Sequence, residues 1–111
     1  MRMWGVDPTK LCRKHLLGEH VEMHMFSGCL RRGLSVKGYV DQGLVEIHKV
    51  RERHDLLAAE MVRRGYRHVS PLLPFPIHQA GTVDVEANER ELKRRCDECF
   101  GGGIDGTQKA V

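Results

Sequence analysis

The sequence predicts an all-α fold: three main helices in one compact domain, with a long Pro-rich loop between the second and third. Three observations predict it. Apolar residues recur at helical spacing in three separate stretches. Little of the chain reads as strand. Beyond Pro8, the prolines cluster at Pro71, Pro74 and Pro76, in "SPLLPFP", where they forbid helix. The 111 residues suit one domain of ~100–150 residues and exclude a TIM barrel of roughly 250. With 41% hydrophobic and 30% charged residues, a packed core is expected and global disorder is not.

The first helix is expected from about Pro8 to Arg32. Asp7 can cap it, Pro8 suits its first position, and Gly33 can close it. Its interior is apolar around most of the circumference, through Leu11, Leu16, Leu17, Val21, Met25, Phe26, Cys29 and Leu30. Such a helix is usually central. Its polar strip holds Arg13, His20, His24, Ser27 and Arg31. The second helix is expected from about Leu44 to Arg64, ending at Gly65, with a stripe of Ile47, Val50, His54, Leu57, Ala58 and Met61. The third is expected from about Asp84 to Cys99. Asp84 or Thr82 caps it, Gly101 stops it, and its stripe is thin: Val85, Leu92, Cys96, Cys99. Leu34–Gly43 reads as an irregular link. The helical domain is expected over 1–100, and 101–111 as a disordered tail.

The formal charge of +3 permits nucleic-acid binding without demanding it. No apolar run approaches the ~20 residues of a membrane span, and no signal peptide is evident, so the cytoplasm is the expected compartment. The four cysteines, Cys12, Cys29, Cys96 and Cys99, are then expected to be reduced thiols.

Glu22 is the most informative position. At 100° per residue it shares a face of the first helix with Leu11, His15, Gly18, Met25, Phe26 and Cys29. A carboxylate there loses hydration and becomes a candidate functional group. The plainer alternative is an ion pair with Arg2 or His54. His20 and His24, spaced i, i+4, could share a metal with Cys96 and Cys99, but a single Cys-x-x-Cys is a weak metal signal. The expectation is therefore no metal and no organic cofactor, with a small zinc-binding protein as an alternative. No cysteine has a base beside it in sequence, which argues against a thiol nucleophile. Basic pairs such as Arg13-Lys14 and Arg31-Arg32 are ordinary solvated charges one by one, yet helix ends could gather them into a phosphate-binding rim.

The N-terminus adds a nucleophile. Arg2 is large, which disfavours removal of Met1. A reference α-amine titrates near ~7.7–8.0, far below lysine. Packed near Glu22, such an amine could form a Schiff base with an aldehyde or a sugar C1′. A frayed terminus is the alternative.

The stretches "MRMWGVDP", "LCRKHLLGEHVEMHMF" and "HKVRERHDLLAAEMVRRGYRH" resemble the pyrimidine-dimer DNA glycosylase family over about residues 1–70. The resemblance implies a compact all-α DNA repair enzyme that flips a nucleotide out of damaged double-stranded DNA. It implies a glycosylase and AP lyase working through an N-terminal amine and a helix-borne Glu. Carried over, the nucleophile is the amine of Met1 and the acid is Glu22. Arg2 holds phosphate or substrate near the amine, and His15 lines the site. Arg13 and Lys14 are further expected DNA contacts, and the acting unit is expected to be a monomer. The chain departs from the family's pattern where arginines flank the Glu: Val21 and Met25 stand there. Near its C-terminus only Phe100 stands for an aromatic segment. A non-catalytic helical nucleic-acid-binding module is the competing reading. For filling the gap left by a flipped nucleotide, small apolar residues of the first helix, or Leu72, Leu73 and Phe75 of the loop, are the candidates.

Overall fold

The computed structural model describes residues 1–67 and 70–104. Four α-helices carry the fold: α1 (Arg13–Arg31), α2 (Lys37–Asp41), α3 (Val50–Arg63) and α4 (Val85–Arg95). Short 3-10 turns stand at Pro8–Lys10, Ile47–Lys49 and Cys99–Ile104. No strand occurs among the described residues. The all-α expectation of three main helices holds, with α2 added where an irregular link was expected.

The expected first helix is two elements. Asp7 caps the 3-10 turn, its carboxylate accepting from the Thr9 N–H at 3.0 Å. Leu11 then adopts an extended conformation and buries its side chain. Cys12 caps α1 instead, its sulfur accepting from the His15 N–H at 3.4 Å. The predicted closures are found. Gly33 and Gly65 adopt φ of 73° and 83°, a region favouring glycine. Each is followed by an N–H reaching five residues back: Leu34 to the Cys29 carbonyl at 2.9 Å, Tyr66 to the Met61 carbonyl at 3.0 Å. Asp84 caps α4 as expected, accepting from the Ala87 N–H at 3.0 Å. That helix stops at Arg95, so Cys96 and Cys99 are not part of its stripe. Tyr66–Gly81 contains no helix among its described residues. Most of the expected tail lies outside the described residues, while Cys99–Ile104 form a turn.

α1 packs on α3. Leu16, Met23 and Phe26 meet Val50, Leu57 and Met61, with Leu92 of α4 closing one end of the core. Burying such side chains stabilises by roughly 1.5–3 kcal/mol each. Residues 1–6 run through this core without helix or strand, with Met3, Trp4 and Val6 all buried. Val21 and Met25 depart from expectation and are exposed, at 54% and 49%.

Two ion-pair groups fix the helices. At one end of α3, Glu60 accepts from Arg63 and Arg64, and these bonds hold its carboxyl down at about 2. Arg64 also donates to the carbonyls of Pro8 at 3.2 Å and Leu11 at 2.7 Å, tying the N-terminal turn to α3. At the centre, Arg53 donates to both oxygens of Glu19, at 2.8 and 2.9 Å, with both side chains almost wholly buried. Removing one partner of such a pair leaves an uncompensated buried charge. Arg53→Met is therefore expected to destabilise by about 3–5 kcal/mol in urea denaturation. Arg63→Met, which removes an exposed partner of Glu60 and leaves Arg64 paired with it, should destabilise far less in the same assay.

Candidate active site

The site is built by two carboxylates one helical turn apart. Glu19 and Glu22 are spaced i, i+3, so they project from the same side of α1. Residues 2 and 4 of the N-terminal segment likewise turn their N–H groups one way. The two patterns meet. Glu22 Oε1 accepts from the Arg2 N–H at 2.7 Å, and Glu19 Oε2 accepts from the Trp4 N–H at 2.9 Å. Between them, the Met3 N–H donates to the Leu44 carbonyl, and Asn88 of α4 donates to the Trp4 carbonyl at 2.8 Å. The N-terminal segment is pinned from three directions, which removes the frayed-terminus alternative for residues 2–4.

Glu22 therefore lies next to the residue that bears the α-amine. It is half-buried, not sunk in the core; the fully buried carboxylate is Glu19. The ion-pair alternative for Glu22 takes a different form, because its partner is the Arg2 backbone. The Arg2 guanidinium lies 3.8 Å from the Trp4 ring centroid and donates to Asn88 Oδ1 at 2.7 Å. Burial and the nearby Arg95 lower its pKa.

Arg2, Trp4, Lys14, His15, Gly18, Glu19, Glu22 and Arg95 line one open cleft of about 320 Å³. Gly18 has no atoms within 4 Å of where a side chain would begin, so the space between His15 and Glu22 stays open. Arg2, His15, Lys14 and Glu22 thus line one cleft. Arg13 is not: it stacks on Tyr66 at 4.4 Å, in a separate depression with Arg67. Arg95 joins the rim unpredicted, 5.4 Å from the Trp4 ring and donating two bonds to Glu91. Met1 is not among the residues lining this cleft; it lines a second depression with Val21, Met25, Arg31 and Arg32. A smaller recess of about 130 Å³, near Glu46, Glu52 and Arg53, is better enclosed but holds no free nucleophile. Of its charged groups, Glu46, Lys49 and Arg53 are committed to structural pairs.

The histidines are placed differently from expectation. His20 and His24 do not form a solvated strip. Both turn inward to meet His54, all ring centroids lying 4.8 Å apart. The Nε2 atoms of His20 and His24 are buried without a partner. Burial, then the neighbouring His54 and His24, push His20 down to about 4. The proposed grouping of these histidines with Cys96 and Cys99 is not formed. The thiols gather instead at Cys12 and His15. Burial pushes the Cys99 thiol up to about 12, which suits no nucleophile.

The sequence model of a family described as pyrimidine dimer DNA glycosylase matches residues 1–73. That stretch contains the pinned N-terminal segment, α1, α2 and α3. No curated protein and no solved structure gives a significant match.

His20 binds a proton more readily unfolded than folded. Its contribution to stability is therefore fully present above about 6.5 and is lost as the pH falls from there towards about 4. NMR titration of the folded protein should show a neutral His20 ring at pH 5. Stability measured in urea should fall between pH 6.5 and 4, and His20→Gln should flatten that fall.

Proposed function

The chain belongs to the pyrimidine dimer DNA glycosylase family, and from that premise we propose that the α-amine of Met1 performs both base excision and strand nicking, assisted by Glu22. Membership makes it a DNA glycosylase of DNA repair acting on DNA. The observation that carries the finer reading is the 2.7 Å bond from the Arg2 N–H to Glu22 Oε1, which holds a carboxylate one residue from the α-amine.

The chemistry follows from that placement. The neutral amine attacks C1′ of the damaged nucleoside, and the bond from C1′ to the base breaks as the base leaves. Nitrogen loses a proton, the C1′–O4′ bond breaks with that proton passing to the ring oxygen, and an iminium forms at C1′. The iminium acidifies the C2′ hydrogen. Glu22 accepts protons in these steps, and elimination breaks the C3′–O bond so that the 3′ phosphate departs. No step asks for a metal or an organic cofactor.

Arg2, Lys14 and Arg95 give the cleft a cationic rim for the phosphates flanking the lesion. C1′ inside a duplex is reached only if the nucleotide leaves the stack. Val21 and Met25, exposed and beside Met1, are the apolar groups best placed to fill the space left behind. Leu72 of the Pro-rich loop is buried and Phe75 is half-buried under Arg51, so of the loop residues expected for this task only Leu73 is free for it. Amine, carboxylate and rim all come from one chain, so a monomer acting on cytoplasmic DNA suffices. No described helix is long and apolar enough to cross a membrane.

Untagged protein incubated with duplex DNA bearing an abasic site should yield a covalent adduct on borohydride reduction. Acetylation of the α-amine should abolish it. Glu22→Gln, whose amide oxygen can still accept from Arg2, should slow nicking by about 10²–10⁴-fold while binding persists. DNA binding without adduct or nicking would overturn the lyase reading and favour a non-catalytic binding module.

A further inference from the structure

A group of four side chains lies beside the cleft and takes no part in the proposed chemistry. Cys12 and His15 come from the start of α1, as Cys-x-x-His. Cys96 and Cys99 come from the chain just after α4, as Cys-x-x-Cys. Some 80 residues separate the two halves in sequence. Their donor atoms nevertheless all lie within 4.8 Å of one another. The sulfurs of Cys12 and Cys96 are 3.8 Å apart. His15 Nδ1 is 3.2 Å from the Cys12 sulfur and 3.4 Å from the Cys99 sulfur.

These three distances match edges of a tetrahedron of a particular size, and the remaining three lie within 4.8 Å. Zinc bonds of ~2.3 Å to sulfur and ~2.0–2.1 Å to nitrogen, at tetrahedral angles, put sulfurs about 3.8 Å apart and sulfur and nitrogen about 3.5 Å apart. The spacing does not suit a disulfide, whose sulfurs lie ~2.05 Å apart, and the four cysteines are free. It does not suit an iron–sulfur cluster either, because a core of several irons and sulfides holds its thiolates further apart than this span.

We propose that Cys12, His15, Cys96 and Cys99 form a structural zinc site that clamps the segment after α4 onto the start of α1. Four protein ligands complete the coordination and leave no position for water or substrate, so the metal is structural, not catalytic. Backbone N–H groups aim at two of the sulfurs. The Cys12 N–H points at the Cys99 sulfur at 3.3 Å and the His15 N–H at the Cys12 sulfur at 3.4 Å. Donors of this kind orient and stabilise metal-bound sulfur. Cys12 also caps the positive end of α1. The net negative charge of one zinc with three thiolates sits near Lys14 and Arg95, which line the same cleft as His15. The chain bends sharply to deliver Cys99. Phe100 is the only non-glycine among the described residues with positive φ, at 61°. A metal bond to the preceding residue is a reason for such a turn to persist. The Cys-x-x-Cys half lies outside residues 1–73, beyond the stretch that defines the family.

The three-histidine group is the rival site. His54 there has both ring nitrogens engaged, 2.8 Å from Asp55 Oδ1 and 3.0 Å from the Ser70 carbonyl. It would have to give up one of these to bind a metal.

The test reads metal content, not activity, so it is independent of the lyase reading. Full-length untagged protein from zinc-supplemented culture would be dialysed and measured by elemental analysis. One zinc per chain is expected. Cys96→Ser and His15→Asn should lower it to a small fraction, while Cys29→Ser and His20→Gln should leave it unchanged. Should the cluster variants fail to fold, cobalt substitution of the wild-type protein decides. Thiolate-to-cobalt charge-transfer bands with intense tetrahedral ligand-field bands support the site, and their absence overturns it. A folded protein that retains no metal, zinc lost on His20→Gln but kept on Cys96→Ser, or iron with inorganic sulfide in place of zinc would each overturn the proposal.

Discussion

One carboxylate organises this protein. Glu19 is buried in the middle of α1, where an isolated charge would be strongly disfavoured. It is tolerated because Arg53 matches both its oxygens and the Trp4 N–H takes a further lone pair. Those bonds join three pieces that could otherwise slide: α1, α3 and the N-terminal segment. Their mutual register then follows. With Trp4 fixed on Glu19, the Arg2 N–H falls opposite Glu22, and Met1 reaches the depression lined by Val21 and Met25. The placement of the terminus is thus a consequence of core electrostatics.

The sequence carried much of this. Helical periodicity, the Asp84 cap and the Gly33 and Gly65 closures were all readable, because each is a local effect. The shared face of His15 and Glu22 was readable too. Glu19 lies on that same face, four residues after His15, and the wheel could have found it; what the wheel could not supply was Arg53. On α3 that arginine looks like any solvated charge, and only the approach of α1 distinguishes it from Arg51 or Arg63. The same reason hides the histidines. His20 and His24 occupy a polar strip of α1, but α1 is contacted on several sides, and the strip faces His54. Val21 and Met25 show the converse, apolar residues left outside because nothing among the described residues covers them.

The cleft's electrostatics rest on stacking as well as on charge. Arg2 and Arg95 both lie against the Trp4 indole, at 3.8 and 5.4 Å from its centroid. An aromatic face holds a guanidinium without neutralising it. Both arginines therefore keep charge for a phosphate while their directions are limited. Glu91 restrains Arg95 further from its own helix. Such a rim is pre-organised, which lowers the ordering cost of holding a DNA phosphate.

Arg95 also links the cleft to the cluster of three cysteines and His15. It is the last residue of α4, and Cys96 follows it directly. α4 is otherwise attached through Leu92 and Asn88, with most of its remaining surface charged and exposed. A helix so lightly packed would place Arg95 loosely at the rim. A metal bond at Cys96 and another at Cys99 remove that freedom, and the shared metal ties both to His15 and Cys12 at the base of α1. His15 then acts on the cleft indirectly, holding the helix that bears Glu22 against the helix that bears Arg95. In a domain this small, one metal can do the positioning that a larger core would otherwise provide.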